Sequence, residues 1–266
     1  MAEESFVKGS FLQSATPSER LRAYAHDGLV DMTEKLLVTD HIAESRFGIW
    51  FLNTETWEQH VLKRAISDLA RLVPDRRSPH PVILDIGCGS GRSFKLLDEF
   101  FRPSRMIGID SDSAMLAISA DTAATCGLPV EFRNDSAAKL SLPDASVDMV
   151  FCHQTFHHLI AQQAALGEFF RVLRPGGILL MAESTRRYIH SWIIRLLFRH
   201  DMTVQRSAQE YLDMIRAAGF TIDSAAISYP YLWWSRSDFG ILERIFGIQP
   251  PKMREETLIN LVAQRP

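Results

Sequence analysis

From residue 82 onward short apolar runs alternate with amphipathic stretches, and this rhythm constrains the fold more than any other feature of the chain. The runs at 82–86, 106–109, 129–132, 147–152 and 178–182 are mostly apolar, broken only by Asp85, Glu131 and Asp148. Strands covered on both faces read that way, whereas half-exposed strands alternate. Helices are predicted near 92–101, 112–125, 160–173 and 207–218. The last begins with a capping box, Ser207 with Glu210, and stops at Gly219. Two late strands, at about 221–228 and 257–263, bring the total to seven. Strands separated by helices predict an α/β fold, a doubly wound, mostly parallel sheet.

The preceding segment carries helical signals only. Trp57, Val61, Leu62, Ala65, Leu69 and Leu72 recur at helical spacing, predicting a helix over 55–73 that Pro74 ends, and 74–81 (PDRRSPHP) reads as a linker. The expected organisation is a helical N-terminal cap or lid over 1–81 and a main domain over 82–266. That domain carries cap insertions at about 184–204 and 230–250. A net charge of −3 provides no general attraction to phosphate backbones, so nucleic acid is not an expected partner. Cys88, Cys126 and Cys152 form no C-x-x-C pair, the N-terminus lacks an apolar signal region, and Arg195 interrupts the longest apolar stretch. A soluble cytoplasmic protein is expected.

Residues 82–93 read VILDIGCGSGRS. A strand running into Gly87, Gly89 and Gly91 and then into a helix leaves backbone bare for a ligand, and the helix start offers unpaired N–H groups. A glycine-rich turn alone is weak evidence. Three features sharpen it: Arg92 stands where the dinucleotide fingerprint requires its third glycine, Asp85 sits inside the end of the first strand two residues before Gly87, and Asp110 ends the second, where a carboxylate can accept both hydroxyls of a ribose. Asp110 also reads as a helix N-cap, a task that Ser111 or Asp112 can equally perform.

The motifs ILDIGCGSG, IGIDSD, FRNDSAAKLSLPDASVDMVFCHQTFHHL and RVLRPGGILLMAE resemble those of the class I S-adenosylmethionine-dependent methyltransferases, particularly the group with ubiquinone and menaquinone C-methyltransferases and many small-molecule enzymes. The resemblance is strong over 82–183 and moderate over 205–228. It implies a Rossmann-like sheet with an antiparallel last strand, S-adenosylmethionine as methyl donor and S-adenosylhomocysteine as product. It places Asp85 and the backbone of Gly87 and Gly89 at the methionine moiety, with Cys88 and Gly91 also among the cofactor-binding residues. Asp110 and Ser111 fall at the ribose, Asp135 with Ser136 at the adenine, and the backbone near His153 at the methionine amino group. Asp135 also reads as a turn residue closing strand three.

Sulfonium methyl transfer requires alignment and exclusion of water above all, and a general base only where the acceptor holds its proton. His153, His157 and His158 follow strand four, at the sheet end where ligands bind, and any of them can take a proton. His153 and His157 are the preferred candidates; simple packing is the alternative. No metal is expected, because Cys152, His153, Gln154 and Thr155 at the end of strand four are followed by no carboxylate until Glu168 and the cysteines are poorly spaced. His153-Gln154-Thr155-Phe156 stands where nucleic-acid amine methyltransferases carry an Asn/Asp-Pro-Pro-aromatic tetrad, which argues against base amines.

Acceptor selection is expected from the cap. Its first part contains Tyr24, His26, His41, Arg46, Phe47, Trp50 and Phe51. The second, RRYIHSWIIRLLFRH over 186–200, would as one helix present Ile189, Trp192, Ile193, Leu196 and Leu197 together. Its arginines suit either a cap helix or peripheral contact with an anionic membrane surface. With Trp233 and Trp234 further on, Trp50, Trp192 and His158 complete the candidate substrate residues. The leading expectation is methyl transfer to a small apolar, aromatic or lipid-like acceptor. The competing readings are a catalytically silent S-adenosylmethionine-binding partner or regulator, and a nicotinamide dehydrogenase.

Overall fold

The computed structural model describes residues 44–73, 81–230, 241–247 and 256–266. One seven-stranded sheet organises them: β1 (Val82–Ile86), β2 (Arg105–Ile109), β3 (Val130–Arg133), β4 (Val147–His153), β5 (Leu173–Ser184), β6 (Ile227–Ser228) and β7 (Leu258–Gln264), in the order β3-β2-β1-β4-β5-β7-β6. Neighbouring strands from β3 to β5 pair parallel, and β7 runs antiparallel to both β5 and β6. The chain winds outward through β1, β2 and β3, then returns to place β4 on the other side of β1. That reversal opens a crevice at the carboxyl ends of β1 and β4, the position ligands take in such sheets.

The helices are α1 (Arg46–Leu52), α2 (Glu55–Trp57), α3 (Lys63–Leu72), α4 (Ser93–Phe101), α5 (Ser113–Ala123), α6 (Gln162–Val172), α7 (Arg186–Ile189), α8 (Trp192–Leu197), α9 (Ala208–Ala217) and α10 (Ile241–Phe246). Alternate strand residues feed two cores. Leu84, Val150, Cys152 and Leu179 meet Phe169 of α6 and Tyr211 of α9 on one face; Ile83, Met149, Phe151 and Leu180 meet Leu69 of α3 and Phe94 of α4 on the other. Ile66 and Leu69 of α3 are fully buried, each burial contributing about 1.5–3 kcal/mol. The predicted capping box forms on α9, where Ser207 accepts from Glu210 N and Glu210 accepts from Ser207 N.

Three elements depart from the sequence expectation. The helix over 55–73 contains a π turn, Glu58–Leu62. Its i→i+5 hydrogen bonding brings residues five apart nearly into line, so Trp57 and Leu62 both face the crevice. The strand expected at 221–228 reduces to Ile227–Ser228 plus an isolated bridge between Thr221 and Gln264, with a 3-10 turn at Ser224–Ala226. The segment 186–200 is two short helices rather than one. The break between Ile189 and Trp192 changes the phase of the apolar stripe, burying Ile189 and Ile194 while Trp192 and Leu196 stand 62% and 73% exposed. Among the described residues no helix is long and apolar enough to cross a membrane.

Candidate active site

The loop after β1 bends through three left-handed glycines, Gly87 (φ 68°), Gly89 (φ 53°) and Gly91 (φ 78°), a region where a Cβ is strained. Only one of them presents open space. A Cβ on Gly87 would strike the Thr155 side chain at 2.4 Å and one on Gly91 the Phe94 ring at 2.6 Å, whereas one on Gly89 would find only Met115 Cε, 4.0 Å away. Three of the loop amides are paired within the protein. Gly87 N and Cys88 N both donate to Ile109 O (2.8 and 3.0 Å), and Gly89 N donates to Asp110 Oδ2 (2.9 Å). These bonds tie the turn to the end of β2.

Asp110 stands at the rim of this crevice, with Gly89 N on Oδ2 and Asp112 N on Oδ1 (2.9 Å each). The cap of α5 is Asp112, which accepts from Ala114 N, so Asp110 is not consumed as a helix cap. Asp85 is 2% exposed and accepts from Ser93 Oγ. Burial, with Asp110 nearby, lifts its carboxyl to about 7 despite that bond. Asp135 lines the crevice beside Ser136, and its Oδ2 accepts from both the backbone N and the hydroxyl of Ser141. Both readings of Asp135, turn residue and cleft residue, thus describe one side chain. Ser111 and Cys88 also line the crevice. Its cavity measures about 280 Å³.

A second cavity, about 290 Å³, adjoins the first through a common wall of Glu44, Leu52, Trp57, His153, Gln154 and His158. Phe47, Phe51, Val61, Ile193, Leu197 and Phe198 make it largely apolar, and His157, His158, His200 and Glu44 form a polar edge. His153 lies between the cavities. Its ring stands parallel to Phe151 (6.0 Å between centroids) and tilted against Trp57 (5.4 Å). Burial, reinforced by His157, pulls it to about 3, so it is a neutral imidazole with little appetite for a proton. His157 is also buried, but its Nδ1 lies 2.6 Å from Glu183 Oε2. Glu183, fully buried on β5, accepts from Thr155 N and Phe156 N at its other oxygen (3.0 and 2.8 Å).

Glu183 supplies, from β5, the carboxylate that the stretch following Thr155 lacks until Glu168. The parallel register of β4 with β5 aligns His153 with Ala182, which brings the next residue of β5 under the loop that follows β4. The signal was present in the sequence, because a lone carboxylate at the end of an apolar strand must find a partner. Trp57, Glu44 and His200 were likewise not singled out as site residues. Burial also pulls the His200 ring down, to about 3. Arg92, read only as a mismatch to the dinucleotide fingerprint, donates to Asn53 O and pairs with Glu58 (2.5 Å), while Ser90 Oγ donates to Asn53 Oδ1 (2.7 Å). The glycine turn is thereby fastened to α1 and to the π turn. Of the other candidate substrate residues, His158 lines both cavities; Trp50 and Trp192 are 59% and 62% exposed and line neither. Trp233 and Trp234 lie outside the described residues, as do Tyr24, His26 and His41.

A crevice at the switch point, three left-handed glycines and a carboxylate at the tip of β2 mark a doubly wound α/β domain with its cleft where such sheets bind ligands. Comparison with known proteins specifies it further. Residues 84–181 match the family model described as a methyltransferase domain. The chain is 34% identical over 142 residues to a protein of Mycolicibacterium smegmatis named as a probable S-adenosylmethionine-dependent methyltransferase, covering 53% of this chain and 52% of that one. It is 37% identical over 101 residues to the demethylmenaquinone methyltransferase of Thermus thermophilus, covering 38% and 46%. The chain thus spans about half the length of these relatives. An S-adenosylmethionine-dependent methyltransferase of Aquifex aeolicus shares the fold, with a TM-score of 0.59 at 18% identity over 82% of this chain and 97% of that one. Residues 84–181 are accordingly a methyltransferase domain, similar over this stretch to relatives named as S-adenosylmethionine-dependent.

Proposed function

We propose that this protein transfers a methyl group from S-adenosylmethionine, held in the crevice over the glycine loop, to a small apolar acceptor held in the adjoining cavity. The observation that carries this reading is the shared wall of the two cavities. In-line displacement needs donor sulfur, methyl carbon and acceptor atom on one axis with water excluded, and two chambers meeting at Trp57 and His153 suit that requirement. Asp110 is assigned to the ribose hydroxyls, Asp135 and Ser136 to the adenine edge, and Asp85 to the charged methionine end. Gly89 is the position where the nucleoside lies on bare backbone.

The acceptor cavity favours a ligand with an aliphatic or aromatic body and one polar reacting group. Phe47, Phe51 and Ile193 would meet the body, and the polar group would reach the edge where His157 stands backed by Glu183. His153, neutral and between two aromatic rings, is assigned to shaping the wall rather than to proton transfer.

Calorimetry with S-adenosylhomocysteine and with NAD tests the cofactor half. Binding of the former is expected, weakened by Asp110→Ala by about 1–3 kcal/mol, the scale for removing a buried hydrogen-bonding partner; preference for NAD would overturn the assignment. Incubating the protein with methyl-labelled cofactor and a metabolite extract, followed by mass spectrometry, tests the transfer half. A labelled small molecule is the expected product. Tight cofactor binding with no acceptor labelled would instead favour a silent binding protein.

A further inference from the structure

We propose that His157, His158 and His200 form a binding site for a divalent transition-metal ion of the zinc type in the wall of the apolar cavity. Each ring offers a nitrogen, and these nitrogens all lie within 4.8 Å of one another. The three rings are mutually packed, with centroids 4.2 Å apart for His157 and His158, 4.8 Å for His158 and His200, and 5.1 Å for His157 and His200. His157 and His158 come from the turn after β4, and His200 from the stretch after α8. The site therefore exists only in the folded chain.

The surroundings match what imidazole ligation requires. A ligating histidine holds its second nitrogen against a carboxylate or carbonyl, which fixes the tautomer and turns the other nitrogen toward the ion. Glu183 stands in that relation to His157, 2.6 Å from Nδ1, leaving Nε2 for coordination. His200 Nδ1 is buried without a hydrogen-bond partner among the described residues, and an ion supplies a partner of the right kind. Glu44 brings a carboxylate oxygen to 4.0 Å from His158 Nε2, with its side chain 13% exposed; a negative charge so placed favours a cation next to it. Imidazole and carboxylate donors together suit borderline ions such as zinc.

Bonds of about 2.0–2.1 Å to zinc place tetrahedral ligand atoms about 3.4 Å apart. The widest pair here therefore closes by no more than about 1.4 Å, within the reach of small side-chain rotations. All three residues line the acceptor cavity, so an open coordination position would face whatever enters it. A hydroxyl bound there would lose its proton more easily. That consequence rests on the acceptor reading given above; uptake of the ion does not.

The test is titration of the full chain, stripped with chelator, with Co²⁺ alone and with Zn²⁺ alone. Calorimetry and the Co²⁺ visible absorption bands are the readouts. One equivalent is expected, with affinity lowered at least about tenfold in H158A and in H200A, and unchanged in H190A, which alters an exposed histidine of the same insertion. Circular dichroism and S-adenosylhomocysteine affinity accompany each variant; should H158A lose its fold, H200A, outside the regular elements, carries the test. Absence of stoichiometric uptake, or uptake indifferent to H158A and H200A, would overturn the proposal. Failure to bind S-adenosylhomocysteine sinks the methyltransferase reading instead, and the metal titration does not depend on it.

Discussion

Glu183 Oε2 and His157 Nδ1 lie 2.6 Å apart, with their side chains 0% and 3% exposed. The carboxylate also gathers two backbone N–H groups, so one group shapes the turn after β4 and fixes the imidazole's orientation. Glu183→Gln keeps an acceptor for those amides but presents an amide to Nδ1, which reverses the tautomer. The expected result is near-native stability and S-adenosylhomocysteine affinity, with turnover reduced by at least about a hundredfold, by analogy with the carboxylate-to-amide change in a Ser-His-Asp triad. Glu183→Ala strands buried partners and is expected to cost about 3–5 kcal/mol of stability. Denaturant unfolding and steady-state kinetics separate the two; parallel losses of stability and turnover in the Gln variant would reduce the pair to a structural role.

The glycine loop makes a position-specific prediction. Gly89→Ala adds a methyl group into open crevice at φ 53°, and left-handed strain costs about 1–2 kcal/mol. Cofactor affinity should suffer more than that figure conveys, because the methyl group occupies the nucleoside's surface. Gly91→Ala drives its Cβ into the Phe94 ring and should lose more stability than Gly89→Ala. Thermal melts paired with S-adenosylhomocysteine titrations read both quantities. Equal affinity loss in the two variants would contradict the assignment of Gly89 as the bare position.

Asp85 predicts two opposite pH dependences. Burial lifts its carboxyl from 3.8 to about 7, so between about pH 4 and 7 the folded chain holds a proton that the unfolded chain releases. Stability from this group is therefore full at low pH, falls as pH rises, and is lost above about 7. Asp85→Asn removes the loss, and the ligand-free variant should exceed the parent in stability at pH 8, by an amount on the order of 2–4 kcal/mol. Cofactor affinity runs the other way: a cationic methionine end favours the carboxylate, so affinity should weaken about tenfold per unit below pH 7. The Asn variant should bind weakly and without this slope. Melting curves at pH 5 and 8 with matched titrations check both.

Arg92 fastens the glycine turn to the N-terminal helices through Asn53 and Glu58, and the Arg92 and Glu58 side chains are 26% and 28% exposed. Arg92→Ala is expected to cost about 1 kcal/mol or less of global stability. It should speed cofactor release several-fold, because α1 and the π turn then lift from the crevice more readily. Stopped-flow dissociation against denaturation midpoints distinguishes a latch from a purely structural pair.

The sheet was readable in the sequence because its central strands are largely buried and therefore mostly apolar, and because the glycine and capping signals act over a few residues. Strands β1, β2 and β4, helices α4, α5, α6 and α9, and the loop from Asp85 to Gly91 fall where local pattern puts them. The strand expected over 221–228 shrank, and the stripe over 186–200 broke, because edge pairing and chain reversals depend on what each segment meets across the fold. Local pattern likewise could not see that the loop amides turn back onto Ile109 and Asp110.

By itself, then, the sequence determined the succession of strands and helices and the glycine turn with Asp85 and Asp110 beside it, since each is written in patterns that run over a few residues of the chain. The tertiary structure alone decided that Glu183 meets His157, that His200 joins His157 and His158, and that Arg92 ties the glycine turn to Asn53 and Glu58. Those pairings join residues far apart in sequence, and their geometry comes from strand register and chain reversal, for which composition and periodicity carry no signal.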